Sequence, residues 1–270
     1  MTCRLRWICL AVTAATVGCG GEYKMTVPDA VARAGEEAPI VVRLQRNDFL
    51  ILDMAVEEVP IGLQVDDARQ RYAYTDKFGY AGTLVPVPDE PGVYPLELYH
   101  QDSDEGDEVY GTGRVYVWDP NRPAVAVDLD CLPLAGDGRA AEALAGWAKV
   151  AHIAYFTREP VSEHDGLHRV LASAGFPDGP ILLWKRRRWH ITRGTWNIPK
   201  IVVESRLVSQ LGELRKTFPA LRTGLAGCPL SAGTFQRADM RTVVVGEMDV
   251  EGDVRRVSDW SAVGDISPAP

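Results

Sequence analysis

Two carboxylates, one residue apart, follow a short apolar run near the middle of the chain. The run Val125-Ala126-Val127 favours a buried strand, and Asp128 and Asp130 come directly after it. In an open sheet of parallel strands, ligands bind outside the carboxyl ends of the strands. Asp128 could therefore act as a nucleophile and Asp130 as a general acid or base. Paired aspartates are also common in turns that have no chemical role.

Further polar side chains follow other predicted strands. The segment 151–156 runs into Thr157, whose hydroxyl would lie at a second strand end. The segment 242–245 is followed by Glu247 and Asp249, which are either candidate metal ligands or part of a solvated acidic turn. The sequence contains no array of Cys and His with zinc spacing, no Gly-x-Ser-x-Gly elbow and no Walker-type loop.

The elements that must position these residues alternate between strand and helix from residue 123 to residue 253. This alternation is typical of a parallel sheet that is covered by helices on both faces. A loosely ordered tail is predicted over 254–270. Apolar strands are predicted over 124–129, 151–156, 180–184, 221–226 and 242–245, and helices over 138–151, 164–174 and 203–218.

The order of these segments resembles the haloacid-dehalogenase-type (HAD-type) phosphatase superfamily, above all the lipin-type and actin-patch-type phosphatidate phosphatases. The resemblance covers about residues 123–250 and rests on Asp128-Leu129-Asp130, on the Gly-Phe-Pro and Gly-Pro-Ile-Leu-Leu stretches within 175–183, and on Phe218-Pro219. It implies a three-layer, Rossmann-like (HAD-like) parallel sheet. It also implies Mg²⁺-dependent hydrolysis of a phosphate ester through an aspartyl-phosphate.

The same resemblance assigns roles to single residues. Asp128 would be the phosphoryl-accepting nucleophile, Asp130 the general acid/base, and Thr157 a ligand of the transferring phosphoryl group. Counting back from Phe218 places Arg206 where the family has a lysine, and arginine is not an equivalent donor there.

The magnesium site implied by the resemblance has an incomplete ligand set. Asp128 and Asp130 would hold the ion, but Gly227-Cys228-Pro229 stands where the family supplies another carboxylate. Losing that carboxylate weakens a site for a hard cation, which prefers oxygen ligands. Glu247 and Asp249 are the candidates to replace it. The chain is therefore expected to be either an open-site Mg²⁺-dependent phosphatase or a non-catalytic module that keeps the fold, and enzymatic activity stays undecided.

Cys131 and Cys228 are the cysteines that remain after an N-terminal signal and its anchor are set aside. In the superfamily the fourth strand lies beside the first, so the resemblance implies that these two residues meet at adjacent strand ends. They would then form a disulfide that closes the degenerate site, or remain two small buried thiols.

Residues 26–119 carry several short strand candidates separated by turn signals, which predicts a β-sandwich. The stretches 75–81 and 91–94 resemble the turn and following strand of bacterial immunoglobulin-like surface modules. The break at 119–123 then marks a linker. The predicted fold class is thus two-domain: an all-β immunoglobulin-like sandwich followed by an α/β three-layer Rossmann-like (HAD-like) parallel sheet over 123–253.

The first residues predict export and lipid anchoring. Arg4 and Arg6 precede an apolar run over 7–17, which is typical of a signal peptide over 1–18. The stretch 16–19 resembles the lipobox of bacterial lipoproteins, which implies cleavage before Cys19 and lipidation of that residue; an ordinary secretory signal is the alternative. Residues 19–25 would be the tether. Multiple acyl chains would hold the protein in the cell envelope, at the periplasmic face of the outer membrane where a cell has two membranes.

Charge limits the classes of partner. The formal net charge is −8, and removal of the signal leaves 27 basic against 37 acidic residues. Nucleic-acid binding is not expected, since it requires a positive field. The basic and aromatic residues of 185–196 could bind anionic phospholipid or a phosphorylated substrate, or form a solvated loop. The acidic stretch 102–108 is predicted to be a hairpin tip rather than a calcium site.

Overall fold

A computed structural model describes residues 22–48, 52–101, 108–136, 138–184 and 210–268 of the chain. The predicted lipidation site Cys19, the predicted lysine substitute Arg206 and the basic segment 185–196 lie outside the described residues. No helix among the described residues is long and apolar enough to span a membrane.

Strands dominate the described part of the chain. The strands are β1 (Glu22–Thr26), β2 (Ala30–Arg33), β3 (Glu37–Asp48), β4 (Leu52–Ala55), β5 (Pro60–Val65), β6 (Arg71–Tyr74), β7 (Tyr80–Pro86), β8 (Gly92–Gln101), β9 (Glu108–Trp118), β10 (Ala124–Asp128), β11 (His152–Thr157), β12 (Ile181–Leu183), β13 (Leu221–Ala226), β14 (Arg241–Val245) and β15 (Val254–Val257). The helices are α1 (Arg139–Ala148), α2 (His164–Ser173), α3 (Gln210–Thr217), α4 (Pro229–Arg237) and α5 (Trp260–Gly264).

The first half of the chain forms two facing sheets. In a four-stranded sheet, β3 pairs antiparallel with β1, β4 and β7. A five-stranded sheet has the order β2-β9-β8-β5-β6. Alternate residues of β3 and β5, such as Ile40, Val42 and Leu63, are fully buried between the sheets. This alternation is the period of two that a strand requires when one of its faces meets a core.

The second half forms a six-stranded sheet in the order β12-β11-β10-β13-β14-β15, in which all the pairs are parallel. Helices α1, α2 and α5 contribute side chains to the core on one face, and α3 and α4 to the core on the other. All five residues of β10 are buried, because the strand lies near the middle of the sheet and is covered on both faces.

β9 belongs to two cores at once. Val115 and Val117 point into the core between the two sheets of the first half. Tyr116 and Trp118, at the alternate positions, lie in the core beneath the parallel sheet. Because successive side chains of a strand point to opposite faces, β9 is buried on both sides at its carboxyl end. The five-stranded sheet is therefore a shared layer between the two halves.

The predicted fold class is wrong. The prediction joined an all-β immunoglobulin-like sandwich to a separate three-layer Rossmann-like (HAD-like) sheet. In the structure the five-stranded sheet is instead a layer shared by the two halves, and it is mixed, since β2 runs parallel to β9. The predicted division followed the change of periodicity at 119–123. That change marks where the local pattern switches, but the buried face of Tyr116 and Trp118 crosses it.

Two further expectations are corrected by the structure. The predicted tether over 19–25 includes most of β1, whose backbone pairs with β3. The predicted loose tail over 254–270 contains β15, the sixth strand of the parallel sheet, and α5, whose Val263 is fully buried against the core. Both segments are short, and their side-chain pattern is mixed, so sequence periodicity carries little signal for them. β1 and β15 are instead stabilised by backbone hydrogen bonds to a neighbouring strand, which do not depend on the side-chain pattern.

Candidate functional site

The carboxyl ends of three neighbouring strands bring the candidate residues together. β10 lies between β11 and β13, and Asp128 and Thr157 are the last residues of β10 and β11. Asp130 and Cys131 lie in the 3₁₀ turn that follows β10, and Cys228 precedes α4 after the end of β13. The strand order changes direction at β10, because β11 and β12 lie on one side of it and β13 and β14 on the other. Open parallel sheets form crevices at such a point.

Asp128 is a buried carboxylate with one oxygen unsatisfied. Its side chain is 0% exposed. The Cys228 thiol donates a hydrogen bond to its Oδ2 at 3.4 Å. Its Oδ1 has no hydrogen-bond partner among the described residues, and the nearest cation, Arg158 Nη1, is 3.8 Å away. A buried carboxylate oxygen without a partner costs free energy, so this atom is a position at which a ligand or ion would be stabilised.

Asp130 is held on both oxygens by its own chain. The Thr157 hydroxyl donates to its Oδ1, and the Arg158 backbone N–H donates to its Oδ2 at 3.1 Å. The Arg158 guanidinium forms an ion pair with the same Oδ2. The Thr157 hydroxyl, predicted to bind a phosphoryl group, is used as a donor to Asp130 and as an acceptor from the Glu159 N–H.

Arg158 is the site residue that the sequence analysis missed. It follows β11 directly, and its guanidinium faces both Asp128 and Asp130. Burial lowers its pKa, but the two carboxylates outweigh that effect and hold the pKa above its ordinary value. The guanidinium also lies over the Trp184 ring, 5.4 Å from its centroid. The sequence did carry a signal for Arg158: a basic residue directly follows Thr157, at the end of the strand that neighbours β10 and its two aspartates.

Cys131 and Cys228 lie beside the Asp128 carboxylate, and the potential ligand atoms of the three side chains are within 4.8 Å of one another. The structure has both as free cysteines, so the predicted disulfide is not present in it. Burial raises the pKa of the Cys131 thiol, and its hydrogen bond to the Asp128 carboxylate acts in the same direction. Gly227 permits the close approach of the two strand ends, because a Cβ there would lie 2.3 Å from the Cys131 Cβ.

Glu247 and Asp249 lie apart from this cluster. They follow β14, which is two strands away from β10 in the sheet, so about 10 Å separates the strand axes. Both residues are exposed and line a shallow cavity with Arg256 and Ser258. The structure therefore does not bring them to Asp128.

The donor set around Asp128 does not fit magnesium. Mg²⁺ requires several oxygen ligands in an octahedral arrangement. Here both oxygens of Asp130 are already bonded within the chain, and thiols stand beside Asp128 where further oxygens would be needed. Arg158 supplies the positive charge that a magnesium ion would otherwise supply to the two carboxylates.

Comparison with known proteins gives no family. No family model and no curated protein matches the chain. Among solved structures, a carbohydrate acetylesterase from Xanthomonas citri is 14% identical, with a TM-score of 0.33, over 82% of this chain and 60% of that one. A family 123 glycoside hydrolase from Clostridium perfringens is 9% identical, with a TM-score of 0.20, over 58% of this chain and 43% of that one.

A β-glucuronidase from Parabacteroides merdae is 10% identical, with a TM-score of 0.32, over 83% of this chain and 34% of that one. The chain thus spans at most 60% of the length of these three structures. Similarities at this level assign neither a fold nor an activity.

Proposed function

We propose that this chain is a lipid-anchored envelope lipoprotein that acts as a non-catalytic binding or structural module. The observation that carries the proposal is the position of Arg158, whose guanidinium faces both candidate catalytic carboxylates. Aspartyl catalysis of phosphoryl transfer requires a cation that is free to contact the phosphate oxygens. Among the described residues, the cation at this site, Arg158, is already engaged by Asp128 and Asp130.

Two features of the carboxylates support the same proposal. A nucleophile must reach the phosphorus atom, whereas the Asp128 side chain is 0% exposed. A general acid/base must exchange a proton with the substrate, whereas Asp130 accepts hydrogen bonds from Thr157 and from the Arg158 backbone. Both side chains would have to leave these partners before they could act. A membrane partner, reached through the lipid on Cys19 and through anionic phospholipid at segment 185–196, is consistent with a binding role.

Hydrolysis of a phosphate ester tests the non-catalytic proposal directly. We expect the unlipidated mature chain and its Asp128→Asn variant to hydrolyse an aryl phosphate and phosphatidate equally poorly, with and without Mg²⁺. The reason is that the described part of the site does not present a free nucleophile together with a free cation. Mg²⁺-dependent release of phosphate that is lost in Asp128→Asn and retained in the control Asp249→Asn would establish a phosphatase instead.

Membrane attachment is tested at Cys19. We expect the native chain to partition into the detergent phase and to incorporate labelled fatty acid in a lipoprotein-processing bacterium. Cys19→Ser should abolish both, because the thiol that carries the diacylglycerol is absent. Cys3→Ser, which lies in the predicted signal, is the matched control and should leave both unchanged. Fatty-acid labelling that persists in Cys19→Ser would contradict the predicted anchor.

A further inference from the structure

We propose that Asp128, Cys131 and Cys228 form a binding site for a thiophilic transition-metal ion, for which Zn²⁺ is the natural probe. Among the described residues, these three side chains form a group whose potential ligand atoms all lie within 4.8 Å of one another. The inference does not depend on the proposed function. It concerns what this cluster binds, whether or not the chain hydrolyses phosphate esters.

The spacing of the ligand atoms matches a tetrahedral site. Zn–S bonds of about 2.3 Å and Zn–O bonds of about 2.0–2.2 Å place the ligand atoms of a tetrahedron roughly 3.5–3.8 Å apart. The Cys228 Sγ lies 3.4 Å from the Asp128 Oδ2. The Cys131 Sγ lies within 4.8 Å of the Cys228 Sγ and of a carboxylate oxygen of Asp128. Small side-chain rotations would therefore turn these three neighbouring groups into three ligands of one ion.

The unsatisfied oxygen of Asp128 is an independent indication of a ligand. Its Oδ1 is buried and has no hydrogen-bond partner among the described residues. Coordination of the carboxylate by a cation would compensate that buried charge in the way that a hydrogen bond otherwise would. Arg158, at 3.8 Å, compensates it at long range but leaves the oxygen without a bond.

The three ligands are held by rigid elements rather than by loops. Asp128 ends a fully buried strand, and Cys131 lies in the 3₁₀ turn directly after it. Cys228 is the N-cap residue of α4, a helix of nine residues. The N-terminus of a helix stabilises a thiolate, which is the form of cysteine that binds metal. Gly227 keeps the strand end of β13 close to Cys131. Such positioning lowers the cost of assembling a site.

The donor types select the class of metal. Two sulphur ligands favour Zn²⁺ or another thiophilic ion over Mg²⁺ and Ca²⁺, which prefer oxygen. On binding, each thiol releases its proton to solvent, so two protons leave as the dication enters. Two thiolates and one carboxylate give three protein ligands, and the fourth tetrahedral position stays open to water or to a side chain of a binding partner.

Cobalt substitution tests the site. The mature chain with Cys19→Ser, reduced and kept without oxygen, should take up one equivalent of Co²⁺ and show thiolate-to-cobalt charge-transfer bands and the strong visible bands of a tetrahedral site. Zn²⁺ should displace the cobalt, and Mg²⁺ should not. Cys131→Ser and Cys228→Ser should each weaken binding on the order of 100-fold, and Asp128→Asn on the order of 10-fold. The control Asp249→Asn should bind as the parent does.

A second measurement does not depend on the variants. Zn²⁺ should slow alkylation of both Cys131 and Cys228 in the reduced parent chain, with each peptide quantified by mass spectrometry. Absence of the cobalt bands in the reduced parent would overturn the proposal, as would bands that persist in both cysteine variants. A Cys131–Cys228 disulfide that resists reduction in the folded protein would overturn it as well, because the thiols would then be unable to bind any ion.

Discussion

Replacing Trp118 with alanine is expected to lower the free energy of unfolding of the whole chain by about 3–5 kcal/mol. Trp118 is only 4% exposed. Its ring stacks on His152 with centroids 4.6 Å apart and meets Phe218 edge-on at 5.2 Å. The residue belongs to a strand of the first half, but the two rings that it meets belong to the second half. Its loss would therefore open a cavity in the core that joins the two halves.

Denaturant unfolding followed by far-ultraviolet circular dichroism is the measurement. We expect one cooperative transition for the parent chain and one transition at lower denaturant for Trp118→Ala, because the halves share a core. Tyr74→Ala removes an aromatic side chain that is 55% exposed on β6, and should cost at most about 1 kcal/mol. Two separate transitions, of which Trp118→Ala shifts one alone, would show that the halves fold independently.

The free energy of unfolding should also depend on pH in a defined direction because of His152. Burial lowers the pKa of His152 from 6.5 to about 4, and the nearby Arg122 guanidinium acts in the same direction. Between these two pH values the unfolded chain binds more protons than the folded chain at this residue, so stability rises with pH. The stabilisation that comes from keeping His152 neutral in the folded chain is complete above about pH 6.5 and is lost as pH falls towards 4. Trp118→Ala, which exposes His152, should flatten this part of the curve.

Replacing Asp29 with alanine is expected to lower the free energy of unfolding by about 3–5 kcal/mol, because it leaves two buried hydrogen-bonding groups without their partner. Asp29 lies between β1 and β2 and is 6% exposed. Its Oδ2 accepts hydrogen bonds from His168 Nε2 at 2.8 Å and from the Ile181 backbone N–H at 2.7 Å. These partners lie in α2 and at the start of β12, so the carboxylate links the first half to the parallel sheet.

A double variant separates the loss of the Asp29–His168 hydrogen bond from the cost of leaving His168 buried without an acceptor. Asp29→Ala leaves His168 and the Ile181 N–H buried without their acceptor. The double variant Asp29→Ala with His168→Leu removes both side chains of the pair and should recover part of the stability. Asp67→Asn, in an exposed turn, is the control and should stay within about 0.5 kcal/mol of the parent. A double variant that is less stable than Asp29→Ala alone would contradict the proposed pairing.

The candidate site was predictable as far as it depends on strand ends. The sequence shows apolar runs that lead to Asp128, to Thr157 and, over 221–226, to the residues just before Cys228. Parallel strands place their carboxyl ends at one edge of the sheet, so these residues were expected to lie close together. Arg158 was missed because its signal was weak: a single arginine after a strand is most often a solvated residue. Helix α4 was also missed, although Pro229 at its first position is a common start signal. Glu247 and Asp249 were grouped with the site by type of residue, whereas sheet order separates them from it.

The sequence by itself determined the positions of the central strands of the parallel sheet. β10, β11, β13 and β14 lie within a residue or two of the predicted ranges, because periodicity and turn residues act over a few neighbouring positions. Only the tertiary structure decided which surfaces meet. An apolar residue predicts that its side chain is buried, but it does not predict which part of the chain covers it. The apolar pattern of β9 is therefore compatible with a separate sandwich or with a layer shared by the two halves. The contacts of Tyr116, Trp118 and Asp29 across the two halves select the shared layer.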